Sequence, residues 1–200
     1  MISDQNEIEA KLAADHVNIE AFKKWMFTNR NIEKFVEITS PDTYYEQGDR
    51  AVRQRGDDDD AHHELTIKLR KNENSTRDRV EIDLKFSPDT SAFNVRCFLE
   101  AAGFKRVFTL TKTAHIFWVR HSDNFKMSYV IYDVWKVGGL DKPRRFIEVE
   151  AEKGSNVTVE TAKRRVREAV RELRDMFALG EPLNDSLYEI YSGKKYQVQQ

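Results

Sequence analysis

The 200-residue chain reads as a mostly β protein of the α+β class, an antiparallel sheet with helices packed outside it. Three observations carry this reading. Apolar and polar residues alternate with a period of two along most of the chain, which sends successive side chains to opposite faces of a strand. The strongest helical spacing lies in one long segment near the end, Thr158 to Leu179. Finally, charges on several strands recur on a single face, an order that a half-buried strand with a mixed polar face does not need.

Asn6 to Leu12 places Glu7, Glu9 and Lys11 on one face and Ile8, Ala10 and Leu12 on the other, which predicts a first strand. Asn18 to Asn29 has Ile19, Phe22, Trp25 and Met26 at helical spacing, with Asn18 able to accept a bond from a free N–H at the helix start. Phe35 to Tyr45 and Arg50 to Arg55 predict strands joined by a turn at Gln47-Gly48-Asp49, followed by a solvated loop at Gly56 and Asp57 to Asp60. His63 to Leu69 and Arg79 to Phe86 follow as strands on either side of Asn72 to Ser75. Ala92 to Ala102 predicts a helix stopped by Gly103. Val107 to Thr113, Ile116 to His121, Met127 to Lys136 and Arg145 to Glu152 supply the remaining strands. In the last helix Ala162, Val166, Ala169, Val170, Leu173 and Phe177 form one apolar stripe, ended by Gly180 and Pro182. A single domain over residues 1–191 is expected, with a flexible tail from 192 to 200.

The composition, 40% hydrophobic and 34% charged, is that of a soluble globular protein with a highly charged surface or with charges inside. The 33 basic and 34 acidic residues leave a net charge of −1, so no global field draws in nucleic acid or an anionic membrane. The one cysteine, Cys97, allows no internal disulfide, and its neighbours Phe98 and Leu99 suggest a buried thiol. Met1-Ile2-Ser3-Asp4 has neither a basic start nor an apolar run, and no stretch approaches the ~20 apolar residues of a membrane span. A cytoplasmic protein is expected.

The chemistry is carried by the charged faces. Arg53 and Arg55 share a face, as do Arg79, Glu81 and Asp83, and as do Glu148, Glu150 and Glu152. Successive residues on a face lie ~7 Å apart, so carboxylates in a row repel unless solvated or bridged by a cation. Neighbouring strands could supply hard oxygen ligands to magnesium or manganese, with arginine and lysine opposite to hold phosphate oxygens. The alternative is a solvated outer face. Against it, acidic strands lie at both ends of the sequence with basic strands between them, the order expected if a closed barrel brings them together.

In that order the residues are similar to the CYTH superfamily, the triphosphate tunnel metalloenzymes. Glu7-Ile8-Glu9-Ala10-Lys11 resembles its opening ExExK signature, and Val52-Arg53-Gln54-Arg55 its LRxR strand. Asp42-Thr43-Tyr44-Tyr45-Glu46, Leu65-Thr66-Ile67-Lys68, Arg79-Val80-Glu81, Gly103-Phe104, Asp133-Val134 and Glu148-Val149-Glu150 resemble later segments in the same order. The resemblance runs from Glu7 to about Tyr188. It implies a closed tunnel of eight antiparallel strands and metal-dependent hydrolysis of a triphosphate: inorganic, nucleoside or thiamine. It implies Glu7, Glu9, Asp133, Glu148 and Glu150 as ligands for Mg2+ or Mn2+, and Lys11, Arg53, Arg55, Lys68, Arg79 and Lys112 as triphosphate ligands. Glu9, Glu150 and Lys11 are the expected catalytic residues, and Glu81 a second acidic contact.

One position departs from the family pattern: Ala114 stands where Lys-x-Arg is common, with Arg106 or His115 as possible substitutes. Two rival readings follow: a class IV adenylate cyclase releasing pyrophosphate from ATP, or a module that binds a nucleotide or RNA 5′-triphosphate without turnover. His62-His63 beside the aspartate run read as loop surface rather than a soft-metal site, and His16, His115 and His121 as structural. The basic side of the last helix, Lys163, Arg164, Arg165, Arg167, Arg171 and Arg174, reads as a solvated face balanced by Glu160, Glu168 and Glu172, with RNA or partner contact as the alternative. A monomer or homodimer is expected.

Overall fold

The computed structural model describes residues 2–48, 50–56, 64–70, 78–87, 89–121, 125–139, 141–151 and 158–194, with side chains for all of these except 2–7, 68–70 and 78–81. Eight strands form the sheet: β1 (Ile2–Ala13), β2 (Ile32–Gln47), β3 (Arg50–Arg55), β4 (Glu64–Arg70), β5 (Asp78–Lys85), β6 (Lys105–Arg120), β7 (Lys126–Lys136) and β8 (Arg144–Ala151). Among the described residues four helices accompany them: α1 (Ile19–Asn29), α2 (Ala92–Ala101), α3 (Val159–Phe177) and α4 (Leu187–Ser192).

Every strand pairing is antiparallel, and the order β1-β5-β4-β3-β2-β6-β7-β8 closes on itself as a barrel. Closure runs through one strand that changes partner along its length. Ile2 to Ile8 of β1 pair with β5, whereas Glu9 to Ala13 pair with β8. The edge of β1 left without β5 is met by the segment before α4, where Leu183 N–H donates to Lys11 C=O at 2.7 Å. This contact covers backbone groups that would otherwise lie bare on a strand edge.

The two faces of the strands pack differently. Ile8, Ala10 and Leu12 of β1, Met127, Tyr129 and Ile131 of β7, and Ile147 and Val149 of β8 point outward into a core shared with α1 and α3. α3 contributes Ala162, Val166, Ala169, Val170 and Leu173, the stripe read from the sequence. Each such Val or Leu, once buried, contributes about 1.5–3 kcal/mol. A second outer core sets α2 residues Val95 and Leu99 against Tyr45, Val52 and Leu65. The third cluster lies inside the ring: Tyr44, Phe108, Leu110, Ala114, Tyr132, Val134 and Phe146 pack on Leu187 and Tyr188 of α4. One end of the barrel is therefore filled by the C-terminal helix.

Several expectations are corrected. Val107–Thr113 and Ile116–His121 are one continuous 16-residue strand, β6, because nothing between them turns the chain and β2, also 16 residues, pairs along nearly its whole length. Cys97 is exposed rather than buried: the packed face of α2 is set by Val95 and Leu99, one turn apart, and Cys97 lies on the opposite side. α3 ends at Ala178 in the left-handed conformation (φ 51°), before Gly180. The short helix α4 has no counterpart in the sequence reading, and beyond it Lys194 Nζ reaches Glu46 at 2.7 Å. The loop runs Asp57–Asp60 and Asn72–Ser75, the histidines His62 and His63, and Asp49 and Glu152 lie outside the described residues.

Candidate functional site: the charged barrel interior

A cavity of about 340 Å³ occupies the barrel interior. Its lining follows strand phase: Glu9 and Lys11 from β1, Arg53 and Arg55 from β3, Glu64 and Thr66 from β4, Lys112 from β6, and Glu148 and Glu150 from β8. These are the faces whose charges repeat in the sequence. The acidic strands β1 and β8 are neighbours in the ring, with Glu9 opposite Glu150 and Lys11 opposite Glu148.

Glu148 is a hub. Lys11 Nζ lies 3.2 Å from its carboxylate, Lys112 Nζ 3.6 Å, and the Tyr132 hydroxyl donates to it at 2.8 Å. Lys112 Nζ also sits 3.8 Å from the Tyr132 ring centroid, a cation–π arrangement. Burial pulls the Lys112 pKa below the usual lysine value, the nearby Arg55 and Arg53 add to this, and Glu148 opposes it. Burial pushes the Tyr132 pKa well up, and the Glu148 charge pushes the same way, so the phenol stays a donor.

Across the cavity, Arg55 forms a two-pronged pair with Asp42, Nε at 2.9 Å and Nη2 at 3.2 Å, and stands 3.6 Å from Glu64. Arg53 Nη2 donates to Thr66 Oγ1 at 2.8 Å and to Glu64 at 3.2 Å, and Thr66 passes the chain on to Asp83 at 2.8 Å. Asp42 is 1% exposed. Burial alone would raise its pKa, but the Arg55 and Arg53 charges and the Arg55 hydrogen bonds outweigh that and hold it at about 2. The guanidinium groups are thus fixed in direction before any ligand arrives, which reduces the ordering cost of binding.

The structure brings together Glu9, Lys11, Arg53, Arg55, Lys112, Glu148 and Glu150. Glu7, Lys68, Arg79 and Glu81 are placed by register alone, Glu7 opposite Arg79 and Lys68 opposite Glu81; their side chains are outside the described residues. Asp133 is not part of the group. It sits in the phase of Tyr129 and Ile131, on the outer face, where Arg145 clasps it at 2.7 and 2.8 Å. Neither substitute for the residue missing at Ala114 faces the cavity charges. His115 is opposite Ile131 and bonds Glu37 at 3.1 Å, and Arg106 bonds Thr109 at 2.8 Å. Ala114 itself is 1% exposed, part of the inner apolar cluster and of the cavity lining.

Sequence reasoning did not assign Asp42, Glu64, Thr66, Asp83 or Tyr132 to the site. The inward row of β2 reads Ile38, Ser40, Asp42, Tyr44, a mixed sequence without repeated charge, so periodicity gives no cue to Asp42. Asp83 shares a face with Arg79 and Glu81, and that was the available signal.

Magnesium and manganese take hard oxygen ligands and use one or two carboxylates completed by phosphate oxygens and water. Glu9 and Glu150, paired across adjacent strands, suit such a site. Among the described residues, no group of three or more His, Cys, Asp or Glu side chains is arranged to hold an ion.

The architecture defines a class: an antiparallel eight-stranded barrel whose interior is lined by interleaved carboxylate, guanidinium and ammonium groups. The chain belongs to the CYTH domain family, whose model matches residues 5–176. No curated protein matches the sequence. Among solved structures, the PH1819 protein of Pyrococcus horikoshii OT3 superposes with a TM-score of 0.61 at 22% identity, covering 94% of this chain and 99% of its own. The PH1012 protein of the same organism gives 0.60 at 17% identity, with 92% and 98% covered. HpAC1 of Hippeastrum, an adenylyl cyclase candidate whose triphosphatase activity is dominant, gives 0.54 at 16% identity, with 94% and 97% covered. At these identities the likeness shows the fold. No described helix is long and apolar enough to cross a membrane.

Proposed function

We propose that the chain hydrolyses a triphosphate inside the barrel, in a reaction dependent on Mg2+ or Mn2+. The observation that carries this is the gathering of Lys11, Arg53, Arg55 and Lys112 with Glu9, Glu148 and Glu150 around one cavity of about 340 Å³. Membership of the CYTH family, in which triphosphate chemistry is general, and the triphosphatase activity of HpAC1 support the same reading.

The arginines suit non-bridging phosphate oxygens, since a fork of donors matches two oxygens at once. Lys11 and Lys112 stand beside Glu148, so an arriving phosphate can take over part of their charge pairing. Glu9 and Glu150 would hold the metal, which supplies positive charge where the leaving oxygen becomes negative. Glu9 or Glu150 also orients a water for attack on the terminal phosphorus. The phosphorus–oxygen anhydride bond breaks, the leaving polyphosphate takes the electron pair, and the water proton passes to solvent through the carboxylate. Phosphoryl transfer of this kind is mostly placement and electrostatic stabilisation, and needs no protein nucleophile.

The pairing of Lys11 and Lys112 with Glu148, together with Ala114, favours one alternative, a site that binds without turnover. Product analysis separates these readings. Purified protein with Mg2+ or Mn2+ is offered inorganic triphosphate, thiamine triphosphate and ATP. Orthophosphate release that falls at least a hundredfold in Glu9→Ala supports hydrolysis. Cyclic AMP with pyrophosphate makes the chain a cyclase, and binding without product makes it a sequestering module.

A further inference from the structure

Tyr132 is fully buried on the inward face of β7, within the inner apolar cluster. Across the sheet it stands opposite Ala114 of β6 and Phe146 of β8. Its polar contacts leave that row on both sides. The ring centroid lies 3.8 Å from Lys112 Nζ, and the hydroxyl donates to Glu148 Oε1 at 2.8 Å.

Lys112 and Glu148 are distant by register. Glu148 pairs through Val130 with Ile116, four residues along β6 from Lys112, which is about 13 Å of strand. Ammonium and carboxylate nevertheless stand 3.6 Å apart. The two side chains therefore lean toward each other across the row of Ala114, Tyr132 and Phe146. In that row β6 contributes only a methyl group, at Ala114, which leaves the span to the tyrosine ring.

The tyrosine holds both members of this pair. Its hydroxyl and Lys11 Nζ share Oε1, at 2.8 and 3.2 Å, while Oε2 faces Lys112. The negative face of the ring gives the Lys112 ammonium a second partner where it is largely removed from water. Without such support a lysine on a flexible four-carbon stem has to be ordered by the ligand itself, at a cost in affinity.

We propose that Tyr132 is a positioning residue: its ring and hydroxyl fix Lys112 and Glu148, and through Glu148 also Lys11, in the arrangement that receives the phosphate chain. This rests on the triphosphate reading of the cavity and adds a residue that acts through its neighbours, since Tyr132 does not itself line the cavity. Removing it leaves every charge in place and takes away only their placement.

The test is equilibrium binding of inorganic triphosphate and of ATP, each with Mn2+, to the wild type and three variants. Tyr132→Leu removes ring and hydroxyl, and Tyr132→Phe removes the hydroxyl alone. Phe146→Leu, whose ring lies 5.6 Å from that of Tyr132 in the same buried cluster, is the control for lost packing. For the ligand that the wild type binds more tightly, Tyr132→Leu should weaken binding about tenfold or more. Tyr132→Phe should recover part of that loss, and Phe146→Leu should stay within about twofold of the wild type. Melting curves check that each variant is folded; if Tyr132→Leu does not fold, Tyr132→Phe must by itself weaken binding at least about threefold. An affinity of Tyr132→Leu no lower than that of Phe146→Leu, or no recovery in Tyr132→Phe, overturns the positioning role and leaves the triphosphate site standing. A wild type that binds neither ligand overturns the triphosphate reading, and this inference with it.

Discussion

Asp42 is the residue on which the basic wall turns. It is 1% exposed and clasped by Arg55, and its carboxyl is held at about 2 against an ordinary 3.8. A carboxylate whose pKa is depressed by folding contributes stability above its unfolded value, and that contribution fades as pH falls toward the folded value. The shift corresponds to something on the order of 2 kcal/mol, lost between about pH 4 and pH 2. Asp42→Asn should therefore destabilise the protein at pH 7 by about 3 kcal/mol, because the half-buried Arg55 loses its charge partner. In urea titrations the gap between variant and wild type should narrow as pH approaches 2; a gap independent of pH would contradict this role. At this scale the sequence is legible where charges repeat, as in Glu9-x-Lys11 and Glu148-x-Glu150, because strand phase translates repetition into a shared face. It was illegible at Asp42, a lone acid among Ile38, Ser40 and Tyr44, and misleading at Asp133, whose phase is fixed by Tyr129 and Ile131 packing outward.

Among the elements, α4 does more than its six residues suggest. Ser186 caps it, accepting the Glu189 N–H at 3.2 Å, while the Glu189 carboxylate returns to the Ser186 N–H at 2.8 Å. That reciprocal cap aims Leu187 and Tyr188 into the barrel, where they meet Tyr44 and Phe108, and the Tyr188 hydroxyl donates to Glu46. Leu187→Ala should cost about 2–4 kcal/mol in chemical denaturation through lost burial and a cavity. A loss below about 1 kcal/mol would mean that the plug does not support the barrel. The long helix α3 and most strands could be read from their periods, 3.6 and 2, since one face of each is sealed. Six residues are too few to establish a period, so α4 is not legible in the sequence. Along β6 the row of Lys112, Ala114 and Ile116 changes character where the cavity passes from charged to apolar, which mimics a break in a continuous strand.

The whole molecule joins the two ends of its sequence. β1 and β8 lie side by side, so acids separated by about 140 residues in sequence face one cavity, while the basic strand β3 closes the ring from the other side. Closure through one strand that changes partner at Ile8 and Glu9 puts the carboxylates of Glu9 and Glu150 next to the seam that Leu183 covers. Distant pairing of this kind follows from order along the chain rather than from any local pattern, which is why the resemblance to a family carried the ring and strand alternation alone did not. The fold thus explains how a protein of net charge −1 concentrates opposed charges in one enclosed place.

The most direct measurement of this account is a crystal structure with Mn2+ and a slowly hydrolysed triphosphate analogue, using the manganese anomalous signal to locate the ion. The account predicts one anomalous peak bound by Glu9 and Glu150, with phosphate oxygens on Arg53, Arg55, Lys11 and Lys112. Manganese or phosphate bound only outside the barrel would contradict it.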